Sequence, residues 1–474
     1  MSQVEEIRTD STDTEENELA RGLGPLEVTT IIVGGAIGSG IFQAPSSIAS
    51  SVGSPGMTLV VWFVCGLLAL CGGLCIAELG AMMPRTGGQY VYLREAYRKR
   101  WVTFIYGWSA FWLVWPVSIA AVANVFANYL ASVVNIVTAD TPGTGIVMDD
   151  ISKAIIAASC VLLLTIINVA GVHWAGRVTN WFTYIKVGAL GGLVVLGLVM
   201  ASKGSMDHFS PFWGESSGGG SPVSGFAFGA FGVAMITGLF SYEGWTFSSY
   251  VAGETRNPRR NLPLSIIVGM LFVMGIYMLA NFVYILILPF EQVQTSSWIA
   301  ADVMNVLVGE WGALFISIGV MCSTFGGVNV QILVAPRIFY AMAKDGLFFK
   351  SLTKVHPKFR TPAVSILCQG VLSALFALTP RYEDIISYGA FTSYSFSILA
   401  IAAVIVLRFT RPDAERPYKA WGYPVTPLLF LAVITGYLVS LLTNAEFIFN
   451  TLIGLGIVAV GIPFYFYWEK KNSA

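Results

Sequence analysis

The chain has 474 residues, 55% of them hydrophobic and 11% charged, against roughly 25% charged in an average soluble domain. A soluble protein of this length needs far more polar surface, and apolar runs of bilayer-crossing length recur along the whole chain. The composition excludes a soluble globular protein and specifies a polytopic membrane protein; the formal net charge of zero says nothing about nucleic acid, because the charges are sorted by side.

Residues 1–24 carry seven acids and two arginines. They lack the basic start and short apolar core of a signal peptide, and are expected to form a disordered cytoplasmic tail. Twelve apolar segments follow, at about 26–50, 56–83, 101–136, 151–171, 179–201, 226–254, 263–288, 309–343, 362–380, 384–409, 425–443 and 447–468. The expected fold is all-α. The third and eighth segments exceed what a perpendicular helix needs, so they should tilt or project. With the N-terminus in the cytoplasm, all 27 Lys and Arg except Lys153, Lys203, Arg381 and Lys186 fall in tails, in even-numbered loops or, for Arg337 and Arg408, at the segment ends leading into those loops, as the positive-inside rule requires. Both termini are then cytoplasmic, with 469–474 as a second tail. The six cysteines (Cys65, Cys71, Cys75, Cys160, Cys322 and Cys368) lie within apolar spans. That leaves no disulfide framework and no zinc spacing, and no cofactor is expected.

The first segment contains "IIVGGAIGSGIF" (31–42), with four glycines among the seven residues from Gly34 to Gly40. Glycine costs ~1 kcal/mol relative to alanine inside a helix. Two uses compete: a deliberate interruption, or close packing through the GxxxG pair Gly34–Gly38. The sixth segment has its own weak point, "TGLFSYEGWTFSS" (237–249), where Ser241, Tyr242, Glu243 and Gly244 interrupt the apolar run. Interrupted helices at matching positions of two halves, 25–201 and 226–409, point to an inverted-repeat transporter with a site near the membrane midplane. Amides freed at a half-helix N-terminus favour an anion, and freed carbonyls favour a cation. A site offering both complements an amino acid zwitterion.

The motifs "GGAIGSGIFQAP" (34–45), "ELGAMMPRTGGQYVYLREAY" (78–97), "LFSYEGWTFSSYVAGETRNPRRNLP" (239–263) and "LRFTRPDAERPYKAWGYP" (407–424) closely resemble the L-type amino acid transporter (LAT) branch of the amino acid–polyamine–organocation (APC) superfamily. The resemblance covers about residues 24–468. It implies a LeuT-type fold of five-plus-five inverted repeats, with helices 1 and 6 interrupted and two further helices (425–468). It also implies alternating-access, sodium-independent amino acid transport in the plasma (inner) membrane. By motif position, the resemblance assigns the substrate carboxylate to the amides around Ser39, Gly40 and Ile41, and the α-amino group to the carbonyls of Ala36, Phe240 and Glu243. Ile37 and Ser241 belong to the same two breaks. Phe240 resembles the family's aromatic gate, and Tyr394 aligns with a side-chain pocket position. Thr246 stands where the family commonly has Asn. The loop "NIVTADTPGTGIVMDD" (135–150) lacks the cysteine by which animal members bind a heavy chain. The expected partners are therefore an amino acid and the lipid bilayer, with no disulfide-linked heavy chain and no nucleic acid.

An ionisable group at membrane depth is a functional candidate by default. Lys186 lies within the fifth segment, where snorkelling toward the headgroups is the plain alternative. The resemblance implies instead that its ammonium replaces a sodium ion between helices 1 and 8, holding helix 1 carbonyls with Ser323 as a neighbour. Glu78 is expected to be a structural hydrogen-bond partner, and Glu254 to cap or pair locally. Glu243, within the sixth-segment break, has three open roles: selecting a cationic side chain, accepting a proton, or being solvated in a cavity. Exchange of neutral or a broad range of L-amino acids is the expected mode, with cationic substrates as one alternative and proton coupling through Lys186 or Glu243 as another. Among other classes, "GESSG" (214–218) matches a GxSxG nucleophile pattern but lies in a Gly/Ser-rich loop without strand-to-helix context. An amino-acid-gated channel lacks a selectivity-filter sequence. The chain is expected not to be an enzyme.

Overall fold

The computed structural model describes residues 22–138, 145–213, 228–379, 382–443 and 448–473. Most of the tail, the 214–218 pattern and Arg381 fall outside them. Among the described residues the regular structure is helical, apart from one isolated parallel bridge between Leu23 and Thr255.

Helix α1 (Pro25–Ala36) starts where Pro25, which has no amide proton to satisfy, takes the first turn and Glu27 reaches back to accept from the Gly24 amide at 2.9 Å. It stops for three residues and resumes as α2 (Gly40–Val52). The second segment is α3 (Pro55–Met82), followed by the short α4 (Gln89–Tyr97). The long third segment is α5 (Arg100–Ser109), a π turn (Ala110–Val114) and α6 (Trp115–Thr138). Next come α7 (Asp150–Val169), capped by Asp149 accepting from the Ser152 amide, and α8 (Val172–Val199).

Helix α9 (Phe228–Ser241) ends at the sixth-segment break. A 3-10 turn (Glu243–Thr246), the single turn α10 (Phe247–Tyr250) and a second 3-10 turn (Ala252–Glu254) continue the path. Helix α11 (Pro258–Ile287) leads through α12 (Phe290–Thr295) and α13 (Ile299–Val308) to the eighth segment, α14 (Glu310–Val334) and α15 (Pro336–Lys344). The chain closes with α16 (Ala363–Ala377), α17 (Tyr382–Thr410), α18 (Val425–Thr443) and α19 (Ile448–Ser473). Helix α19 runs on through most of the stretch expected as a tail. Among the described residues, nine helical stretches are long and apolar enough to cross a membrane, while α9, α16 and α18 carry shorter apolar runs.

Two packed groups organise these helices. The first two segments of each half lie together: α11 along α1 and α3, and α9 along α2. The third and fourth segments of each half also lie together, with α14 on α6 and α16 on α6 and α7. Helix α8 bridges the groups, touching α1 on one side and α14 on the other. The two interrupted helices thus share one group, and the cavity described below opens between their break and the other group.

Candidate substrate site at the two helix breaks

Residues 37–39 are not helical, and Ile37 leaves the helix with φ −73° and ψ 78°. The Gly38 amide, which a continuous helix would aim at the Gly34 carbonyl, donates instead to the Ala36 carbonyl at 2.7 Å. That sets the Gly34 carbonyl free of its helical partner, and lipid offers no replacement. Lys186 supplies one. Its Nζ donates to Gly34 O at 2.8 Å and to Ile37 O at 2.7 Å, with the side chain fully buried. Ser323 Oγ of α14 donates to the same Ile37 carbonyl at 3.0 Å. The ammonium is therefore wedged between the break and α14 rather than extended toward a surface. Below it, Thr183 Oγ1 donates to Thr30 O at 3.4 Å, and Thr30 pairs with Asn180.

The second break lies against the first. A Cβ placed on Gly40 would sit 2.4 Å from Ser241 Oγ, and one on Gly244 would sit 2.4 Å from both Ala36 N and Ile32 O. Neither glycine has a positive φ. At these positions glycine supplies close approach of two backbones, and the interruption and the packing are one feature. Tyr277 of α11 completes it: its hydroxyl lies 2.7 Å from Ala36 O and 3.1 Å from Ser241 O, spanning both breaks. Trp62 packs edge-on and Tyr242 tilted against that ring, and Tyr242 donates to Trp62 O at 3.2 Å. Ala36 O, assigned to a substrate amine by resemblance, already faces two protein donors here.

Beside the breaks lies a cavity of about 270 Å³ bounded by the third, sixth and tenth segments. Of the site residues expected from sequence, Phe240, Glu243 and Tyr394 line it. Ala36, Ile37, Ser39, Gly40, Ile41 and Ser241 form the interlocked backbone next to it and are not part of its wall. Gly40 and Ile41 begin α2, so their amides have no carbonyl one turn earlier to receive them. Ser393 Oγ donates to Glu243 Oε1 at 3.2 Å, which turns the carboxylate toward the cavity. Tyr394 is buried at 6% exposure against Tyr437, and among the described residues its hydroxyl has no hydrogen-bond partner. Thr246 lines the cavity as well.

Sequence reasoning passed over several of these residues. Tyr277, Trp115, Tyr106 and Tyr250 sit in apolar or aromatic runs where nothing distinguishes a wall residue from a packed one. The Tyr106 and Tyr250 hydroxyls meet at 3.2 Å across one end of the cavity. Glu254 does not pair locally as expected. Its carboxylate takes Arg337 Nε at 2.8 Å and Nη2 at 3.0 Å, 83 residues away, with both side chains fully buried. Its carbonyl also accepts from the Gly22 and Leu23 amides, both at 3.0 Å. Glu78 is ion-paired with Arg408 at 2.6 Å and accepts from the Ala420 amide at 2.7 Å.

The family profile described as amino acid permease matches residues 23–462. The chain is 33% identical over 457 residues to the large neutral amino acids transporter small subunit 2 of Mus musculus, covering 96% of this chain and 82% of that one. It is 32% identical over 464 residues to the serine/threonine exchanger SteT of Bacillus subtilis, covering 97% and 100%. It is 30% identical over 472 residues to the b(0,+)-type amino acid transporter 1 of Homo sapiens, covering 98% and 92%.

Proposed function

Because the chain belongs to the amino acid permease family, as a member of its L-type amino acid transporter branch, we propose that it moves L-amino acids by sodium-independent exchange. That it is a multi-pass membrane protein and an amino acid transporter, not an enzyme, follows from the family itself. The observation that carries the finer reading is Lys186, whose ammonium holds Gly34 O and Ile37 O beside Ser323. A covalently tethered cation at a helix break does the electrostatic work that a bound metal cation would do, and it need not be taken up and released in each cycle.

Alternating access, a LeuT-type five-plus-five repeat and cytoplasmic termini belong to the same proposal. They are supported by the matched pairing of segments from the two halves and by the sorting of Lys and Arg. The amides opening α2 would receive the substrate carboxylate. Phe240 would cover the substrate, while Glu243 and Tyr394 would meet its side chain. The protein would act without a disulfide-linked heavy chain, since residues 135–150 hold no cysteine. The word exchanger in the name of the Bacillus relative supports the mode of transport.

The test is uptake by proteoliposomes of purified protein. Replacing sodium by choline at constant osmolarity should leave uptake unchanged, and preloading with amino acid should accelerate entry of labelled substrate. A large drop in choline sinks sodium independence. The second reading is proton coupling, favoured by a carboxylate turned into the cavity. Empty vesicles that fill as fast as loaded ones, with accumulation driven by an inward proton gradient, would replace exchange with that mechanism.

A further inference from the structure

Glu243 has a neighbourhood that its place in the break does not by itself explain. Among the described residues of the cavity wall it is the single ionisable carboxylate, and no Lys, Arg or His faces it there. Ser393 occupies Oε1 at 3.2 Å, and among the described residues Oε2 has no protein donor. A second acceptor lies on the same wall. The Tyr394 hydroxyl is buried and, among the described residues, without a hydrogen-bond partner, on the same helix as Ser393. Around this polar corner the wall is aromatic, with Trp115, Phe240 and Phe247. Glu243 is half-buried, and a carboxylate set among apolar walls is costly unless a cation pairs with it. Among the described residues no such cation lines this wall, and Lys186 is committed to Gly34 and Ile37.

We propose that Glu243, with Tyr394, forms a subsite for the terminal cation of a basic substrate side chain, so that the preferred substrates are amino acids such as lysine, ornithine and arginine. This rests on the transport reading above and names its substrate class. The aliphatic stem of such a side chain packs on the aromatic wall, while its ammonium or guanidinium donates to Oε2 and to the orphaned hydroxyl. A neutral side chain of equal length fills the same space and leaves both acceptors unpaired. Discrimination then rests on the terminal charge and not on size.

Lysine and norleucine, which share a four-carbon chain and differ at its end, make the test. Each is used to drive exchange in proteoliposomes of the full-length protein. Lysine should half-saturate wild type at a concentration lower by about ten-fold or more, the scale of one charge-assisted hydrogen bond. In Glu243→Gln that ratio should collapse toward unity, in Glu243→Asp it should be partly kept, and in Tyr394→Phe it should fall to an intermediate value. A wild-type ratio near unity, with exchange running, overturns the subsite without touching the transport reading, and needs no variant to fold. A high wild-type ratio that survives in Glu243→Gln overturns it equally. If neither drives exchange in wild type but serine or leucine does, the subsite falls and the transport reading stands; if no amino acid drives exchange, both fall.

Discussion

Replacing Lys186 by methionine keeps most of the stem volume and removes the ammonium from between Gly34 O and Ile37 O. Ile37 O keeps a donor in Ser323. Gly34 O does not, because the amide that would otherwise reach it has turned to Ala36 O. One orphaned buried acceptor costs ~1–3 kcal/mol. At ~1.4 kcal/mol per decade, that is roughly a 5- to 140-fold loss in the population whose break is organised for substrate. The half-saturating amino acid concentration for exchange should rise by that factor, measured in proteoliposomes after melting curves establish that the variant is folded. Lys186→Arg should not rescue it. A planar guanidinium with its donors in a fixed fork does not reproduce a compact ammonium seated between two carbonyls at 2.8 and 2.7 Å. A folded Lys186→Met protein with an unchanged half-saturating concentration refutes the assignment of this cation to the break.

Arg337→Met strands the buried Glu254 carboxylate and should lower stability by ~3–5 kcal/mol; the Glu254→Gln/Arg337→Met pair should melt above the single variant, and a single variant that melts like wild type refutes the reasoning. Gly244→Ala drives a Cβ into the Ala36 amide and the Ile32 carbonyl, an overpacking of ~1–3 kcal/mol or more, so uptake should be lost; retained uptake would mean the helices separate more easily than their contact implies. Tyr277→Phe removes the hydroxyl shared by Ala36 O and Ser241 O, at ~1 kcal/mol, and should weaken apparent affinity about five-fold in the same exchange assay.

The breaks were legible because glycine and charged residues stand out in apolar runs, and a helix interrupted in lipid must find internal partners. Those partners were harder to see. Tyr277 and Trp62 look like any aromatic in a span, and their proximity to the breaks comes from how α11 and α3 pack. Glu254 and Arg337 are 83 residues apart, so no periodicity connects them. Helices α4 and α13 escaped notice for another reason: they are too short and, for α4, too charged to register as spans. The side of Glu243 was open in the sequence, since a residue in a non-helical turn has no face until the turn is built. Ser393 on α17 fixes it.

The two contacts that interlock the breaks differ in what stands opposite each glycine. Gly40 faces Ser241 at its Oγ, its Cβ and, at 2.8 Å, its backbone Cα, so a smaller residue at 241 clears only part of the space a methyl group at 40 needs. Gly244 faces a backbone amide and a backbone carbonyl, which no substitution elsewhere can shrink. Directed evolution of this transporter should find Gly40→Ala only partly relieved by Ser241→Gly, while position 244 should stay fixed in every functional lineage. One seam between the broken helices admits partial epistatic repair; the other is closed to it.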